Sequence, residues 1–86
     1  MSDRKAKENI QRLDDDACLS SILELKPCKY NYKTDESKAV RRGVIAQEAR
    51  QYANEDEEGT LRIQLYDMIA DLVGSVKALH ARLGKK

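Results

Sequence analysis

Few residues in this chain have both the type and the spacing to do chemistry. His80 is the single histidine and lies far along the chain from any candidate nucleophile, so a Ser-His-Asp arrangement is not expected. It reads instead as a surface or bundle-flank residue. Cys18 and Cys28 are the only cysteines and lack Cys-x-x-Cys spacing, which with one histidine excludes a structural zinc site. With no export signal in view they are expected as reduced thiols. Gly43, Gly59, Gly74 and Gly84 are isolated, so no phosphate-cradling loop is present. The acidic runs at 14–16 and 55–58 lack the ligand spacing of a calcium loop. No metal and no cofactor are expected. What remains is Ser2 with Lys7, on residue type alone a hydroxyl and an ammonium in a polar arm.

A serine hydroxyl is a weak nucleophile and needs an adjacent base. A lysine amine serves as that base only when desolvation loosens its hold on the proton. The spacing adds a constraint. Residues 2 and 7 point to opposite faces of a strand, and on a helix they stand ~140° apart. A bend in the arm, or a neighbouring subunit, must bring them together.

The elements around the pair follow from short local patterns. Residues 2–11 are polar with no helical stripe and read as an extended or bent arm. Asp14, Asp15 and Asp16 suit a helix N-terminus, where free backbone N–H groups and the dipole favour carboxylates. Leu19, Ile22, Leu23 and Leu25 follow at helical spacing until Pro27, which predicts a short helix over about 15–25. Cys28, Tyr30 and Tyr32 alternate with Lys29, Asn31 and Lys33, the period of a half-buried strand. Residues 34–38 are turn-like and 41–46 read as a second strand, so the pair forms an antiparallel hairpin. Residues 47–54 (QEARQYAN) contain good helix formers, and 55–59 (EDEEG) read as an acidic loop turning at Gly59.

The last third carries a different signal. Leu65, Ile69, Leu72, Val76, Leu79 and Leu83 step by alternating fours and threes, an unbroken heptad seam. β-Branched residues at one core position and Leu at the other favour two strands, although the stretch is too short to decide the number alone. Gly74 lies off the seam, where it weakens the helix by about 1 kcal/mol unless a neighbour approaches closely.

With 86 residues the chain is one domain at most. Residues 1–60 contain only nine large aliphatic side chains, a thin core for a domain this small, so partner subunits are expected to supply the rest. The net charge of +1 offers no basic stripe, so nucleic acid is not an expected partner. The apolar runs fall short of a membrane span, and the charged start is not that of a signal peptide.

Four ordered motifs together resemble a known family. Residues 2–10 (SDRKAKENI) resemble the opening SDxxxKxxI signature of the intramolecular chaperone domain. This is the self-cleaving trimerisation module (peptidase family seventy-four of the serine class) of phage tail spikes, tail fibres, neck appendages, endosialidases and myelin regulatory factor. Residues 25–32 (LKPCKYNY) are similar to its L-x-P-V-x-Y-x-W passage, and 43–48 (GVIAQE) to its GFIAQE segment. Residues 59–79 resemble its closing helix. Ala6 stands where the family usually has Leu, Tyr32 where Trp is common, and the FP passage is missing between 47 and 59.

The resemblance implies an α+β fold: a small globular part with a β-hairpin and short helices, and a long C-terminal helix in a homotrimeric bundle. Residues 1–86 would form one domain, with the globular part and dyad arm at 1–60 and the bundle helix at 61–84. Leu65, Ile69, Leu72, Val76, Leu79 and Leu83 would form the trimer interface. By the same resemblance, Ser2 is the nucleophile and Lys7 its base, cutting the bond before Ser2. Implied partners are two further copies and an upstream viral fibre or spike, met in the host cytoplasm during virion assembly. Afterwards the domain would be released from the virion or retained in it. The chain then reads as the product left after cleavage, or as a stand-alone trimeric virion or adaptor protein with no proteolysis.

Overall fold

The computed structural model describes residues 2–84. Met1, part of the expected scissile bond, lies outside the described residues, as do Lys85 and Lys86. The fold is α+β: the described residues form two helices, two small antiparallel hairpins and three short 3-10 turns. Helix α1 spans Asp15–Leu23, and Asp14 caps it by accepting from the Ala17 N–H at 3.1 Å. It stops at Leu23 rather than at about 25: Glu24 keeps helical torsions as the C-cap, and Leu25 N–H donates to Ile22 O at 3.0 Å, a tightened last turn ahead of Pro27. Strands β1 (Cys28–Tyr30) and β2 (Arg41–Gly43) form the expected hairpin, with Cys28 opposite Gly43 and Tyr30 opposite Arg41.

The stretch expected to be helical at 47–54 is not a helix. It forms 3-10 turns at Ala46–Glu48 and Arg50–Tyr52, followed by strand β3 (Ala53–Glu55). β3 pairs with β4 (Leu61–Ile63), so the acidic loop is the turn of a second hairpin. Asp56 organises that turn. Its carboxylate accepts from the Thr60 and Glu58 amides, both at 2.9 Å, and from Arg62 at 3.2 Å. These donors, the Thr60 amide foremost, hold the Asp56 carboxyl below its ordinary range. Gly59 adopts φ +83°, a torsion that costs glycine nothing and a residue with a Cβ about 1–2 kcal/mol.

The C-terminal helix α2 runs Leu65–Leu83, so residues 61–63, expected at its start, belong to β4 instead. Its face toward α1 is built from small residues: Gly74, Ser75 and Ala78 are buried there. A Cβ on Gly74 would lie 2.6 Å from Cys18 Sγ and 2.8 Å from Cys18 Cβ. The neighbour expected at Gly74 is therefore α1, within the same chain. Gly74→Ala gains about 1 kcal/mol of helix propensity. It also forces two helix backbones apart, because a Cβ atom cannot swing away, and such overpacking typically costs ~1–3 kcal/mol. The expected net result is a lower thermal midpoint. Adding Cys18→Ala should recover only part of the loss, since the Cβ contact remains.

The buried apolar set among the described residues is Cys18, Leu19, Ala49, Tyr52 and Ala78. None of the larger side chains is fully enclosed. The radius of gyration is 16.3 Å, against roughly 12 Å for a compact chain of this length. A core this small leaves many large apolar side chains exposed, Leu23, Val40 and Tyr66 among them.

Candidate functional site

The arm carrying Ser2 and Lys7 bends between them. Residues Arg4–Ala6 form a 3-10 turn, with Ala6 N–H donating to Asp3 O at 3.1 Å and Lys7 N–H to Arg4 O at 3.0 Å. Asp3 caps the turn: its Oδ1 accepts from the Lys5 N–H at 2.8 Å. A 3-10 turn rises about 2 Å per residue where an extended chain covers ~3.3–3.6 Å, so the bend shortens the path from Ser2 to Lys7. Asn9 has φ +53°, a left-handed torsion that Asn tolerates better than most residues, and it turns the chain again just past Lys7. Ser2 and Lys7 are both exposed, and no hydrogen bond joins their side chains in the single chain. Sequence reading missed Asp3, although an Asp at the head of a turn is a recognisable capping signal.

The six seam residues stand on the outer face of α2, all between 43% and 79% exposed. At 100° per residue the seam centre lies about 130° from the small-residue face that packs on α1. The small residues buried against α1 and the seam thus lie on different faces of α2. Beside it, an open apolar groove of about 600 Å³ runs between the end of α1, β1–β2 and α2, lined by Ile22, Leu25, Pro27, Val44, Met68 and Leu72. Leu72 belongs to both, so groove and seam form one continuous apolar surface. Exposed patches of this kind mark interaction surfaces.

A part-buried polar cluster that sequence reading did not anticipate holds α2 in place. The Tyr52 hydroxyl lies 3.0 Å from Ser21 Oγ on α1 and also meets the Asp71 carboxylate on α2. With one phenolic proton, it donates to the carboxylate and accepts from Ser21. Gln64 N–H donates to Tyr52 O at 2.6 Å, anchoring the start of α2 to the same residue. Ser75 Oγ donates to Asp71 O at 2.7 Å. No local pattern signals partners 19 and 31 residues apart. His80 is exposed, as expected, and both cysteines are free thiols, Cys18 buried and Cys28 half-buried.

Removing the Tyr52 hydroxyl should cost about 1–3 kcal/mol, because Asp71 loses a donor at a half-buried position. Tyr52→Phe is therefore expected to lower the thermal midpoint while leaving the helix content intact. Burial and the Asp71 carboxylate both push the Tyr52 phenol above its ordinary 10.0 and the Cys18 thiol above 9.0. In the folded chain both groups hold their protons more tightly, so the stability they contribute is complete below pH 9. It falls as the unfolded chain begins to ionise at higher pH. Thermal midpoints measured upward from pH 8 should decline above 9, and Tyr52→Phe should flatten the part beyond 10.

The family described as the chaperone of endosialidase matches residues 2–58. That is well over half of the chain, and the chain belongs to this family. The match starts at Ser2 and ends in the β3–β4 turn, ahead of α2. No curated protein matches the chain.

Proposed function

We propose that this chain is a C-terminal intramolecular chaperone that trimerises, brings three copies of an upstream viral fibre or spike into register, and then releases itself at the bond before Ser2. The observation that carries this reading is the family match, which opens on the segment containing Ser2 and Lys7. The exposed seam and groove support the assembly step, since they offer apolar surface that the single chain does not cover. The setting in which such a module works is the host cytoplasm during virion assembly.

In the proposed reaction Lys7 Nζ takes the proton from Ser2 Oγ as Oγ attacks the carbonyl carbon of the preceding residue. That proton passes to the Ser2 nitrogen as the C–N bond breaks, leaving an ester on Oγ and a free amine. Water, deprotonated by the same base, hydrolyses the ester; the upstream chain leaves as a carboxylate and Oγ–H is restored. One water is consumed and the reaction runs once per chain. Lys7 is exposed in the single chain, so the desolvation a lysine base requires must come from a neighbouring copy or the upstream segment. Where a neighbouring copy supplies it, cleavage waits for assembly.

A second reading, a trimeric virion or adaptor protein without proteolysis, is favoured by the exposed, unbonded state of Ser2 and Lys7. The test is to fuse a β-rich fibre segment before Ser2 and follow the products by light scattering and denaturing electrophoresis. The chaperone reading expects a trimer and two fragments. An uncut trimer supports the second reading, and a stable monomer contradicts both.

A further inference from the structure

We infer that Asp3 is a positioning residue for the cleavage reaction, acting through the cap it places on the turn between Ser2 and Lys7. The inference rests on the dyad reading above and adds a residue to it. Spacing alone keeps Ser2 and Lys7 apart in either regular element, since five positions face them away from each other. The chain departs from both elements at one place, the 3-10 turn at Arg4–Ala6. Three residues form too short a turn to be held by its own hydrogen bonds in water, because nucleation fixes many torsions for few bonds. Asp3 supplies the missing bond: its backbone is extended at φ −64°, ψ 134°, and its carboxylate accepts from the Lys5 N–H at 2.8 Å. The backbone oxygen of the same residue accepts from Ala6 N–H at 3.1 Å. One residue thus closes the turn from both its side chain and its main chain, directly beside the nucleophile. The second bend at Asn9 follows two residues after Lys7, so the proposed base is held between two defined turns.

The role is to populate the bent arm, and it requires an acceptor at the cap rather than a charge. The test uses the full chain with an upstream fibre segment fused before Ser2, and times cleavage by electrophoresis for wild type, Asp3→Ala, Asp3→Asn, Asp3→Ser and Ser2→Ala. Asp3→Ala loses the acceptor and should cut about 5- to 30-fold more slowly, the population change expected from losing one cap. Asn and Ser keep an acceptor at that position and should restore most of the rate. The pH–rate profile of Asp3→Asn should superimpose on that of the wild type. Thermal midpoints should be equal throughout, since Asp3 is exposed and its turn contains no buried residue. Asp3→Ala cutting at the wild-type rate while Ser2→Ala stays uncut overturns this inference and leaves the dyad standing. Asp3→Asn as slow as Asp3→Ala also overturns it, because charge would then be the active property. An uncut wild type, or a Ser2→Ala that still cuts, overturns the dyad reading and this inference with it.

Discussion

Val76→Asp is expected to convert the assembly to monomers and, with an upstream fibre attached, to stop cleavage. Val76 is 65% exposed in the single chain, so the substitution has little to disturb within one subunit. In a bundle it places three like charges at one core level, and an unpaired buried charge costs several kcal/mol. The opposing gain is finite. Fully burying a large aliphatic side chain contributes about 1.5–3 kcal/mol, and each seam residue has roughly half of its surface left to bury. Six such residues give on the order of 5–10 kcal/mol per chain before the entropy of association is subtracted. Several charges of that cost exceed what remains. Light scattering should report the wild-type trimer and the variant monomer, with circular dichroism unchanged in the α1–α2 signal. A variant that is monomeric and still cuts would show that the dyad needs no neighbour.

The dyad substitutions carry the largest effect on activity. Ser2→Ala removes the nucleophile and should leave a fused chain uncut. Lys7→Met keeps much of the side-chain volume but has no nitrogen to accept a proton, so cleavage should fall below detection. Lys7→Arg should fail as well, because a guanidinium does not give up its proton in a protein. All three should still assemble, since the seam lies on α2 and Ser2 and Lys7 are exposed. Lys5→Ala is the control, three residues from Ser2 and outside the matching lysine position, and it should cut normally. If Lys5→Ala abolished cleavage while Lys7→Met left it intact, the base would have been assigned to the wrong lysine.

The parts of the fold legible in the sequence were those encoded by neighbours in the chain. The carboxylates at 14–16 mark the cap of α1, the alternation at 28–32 marks β1, and the step of fours and threes marks α2. The β3–β4 hairpin was not legible. Ala53–Glu55 has weak strand propensity, and Leu61–Ile63 runs directly into the apolar pattern of α2. That hairpin is fixed by its turn at Asp56 and by the bond from Gln64 to Tyr52 O, which no local pattern displays. The contact between Gly74 and Cys18 was legible only as a glycine out of place. At the candidate site, residue types and spacing left Ser2 and Lys7 as an ordinary polar pair. The four motifs singled them out, and the Asp3-capped turn is what bends the chain between them.

The central claim is that this module cuts its own chain at one bond, and the intact mass of the C-terminal fragment tests it most directly. With a fibre segment fused before Ser2, the claim predicts a released fragment whose mass corresponds to residues 2–86, present in wild type and absent in Ser2→Ala. A fusion that remains one uncut species, or a fragment whose mass places the break at any other bond, would contradict it.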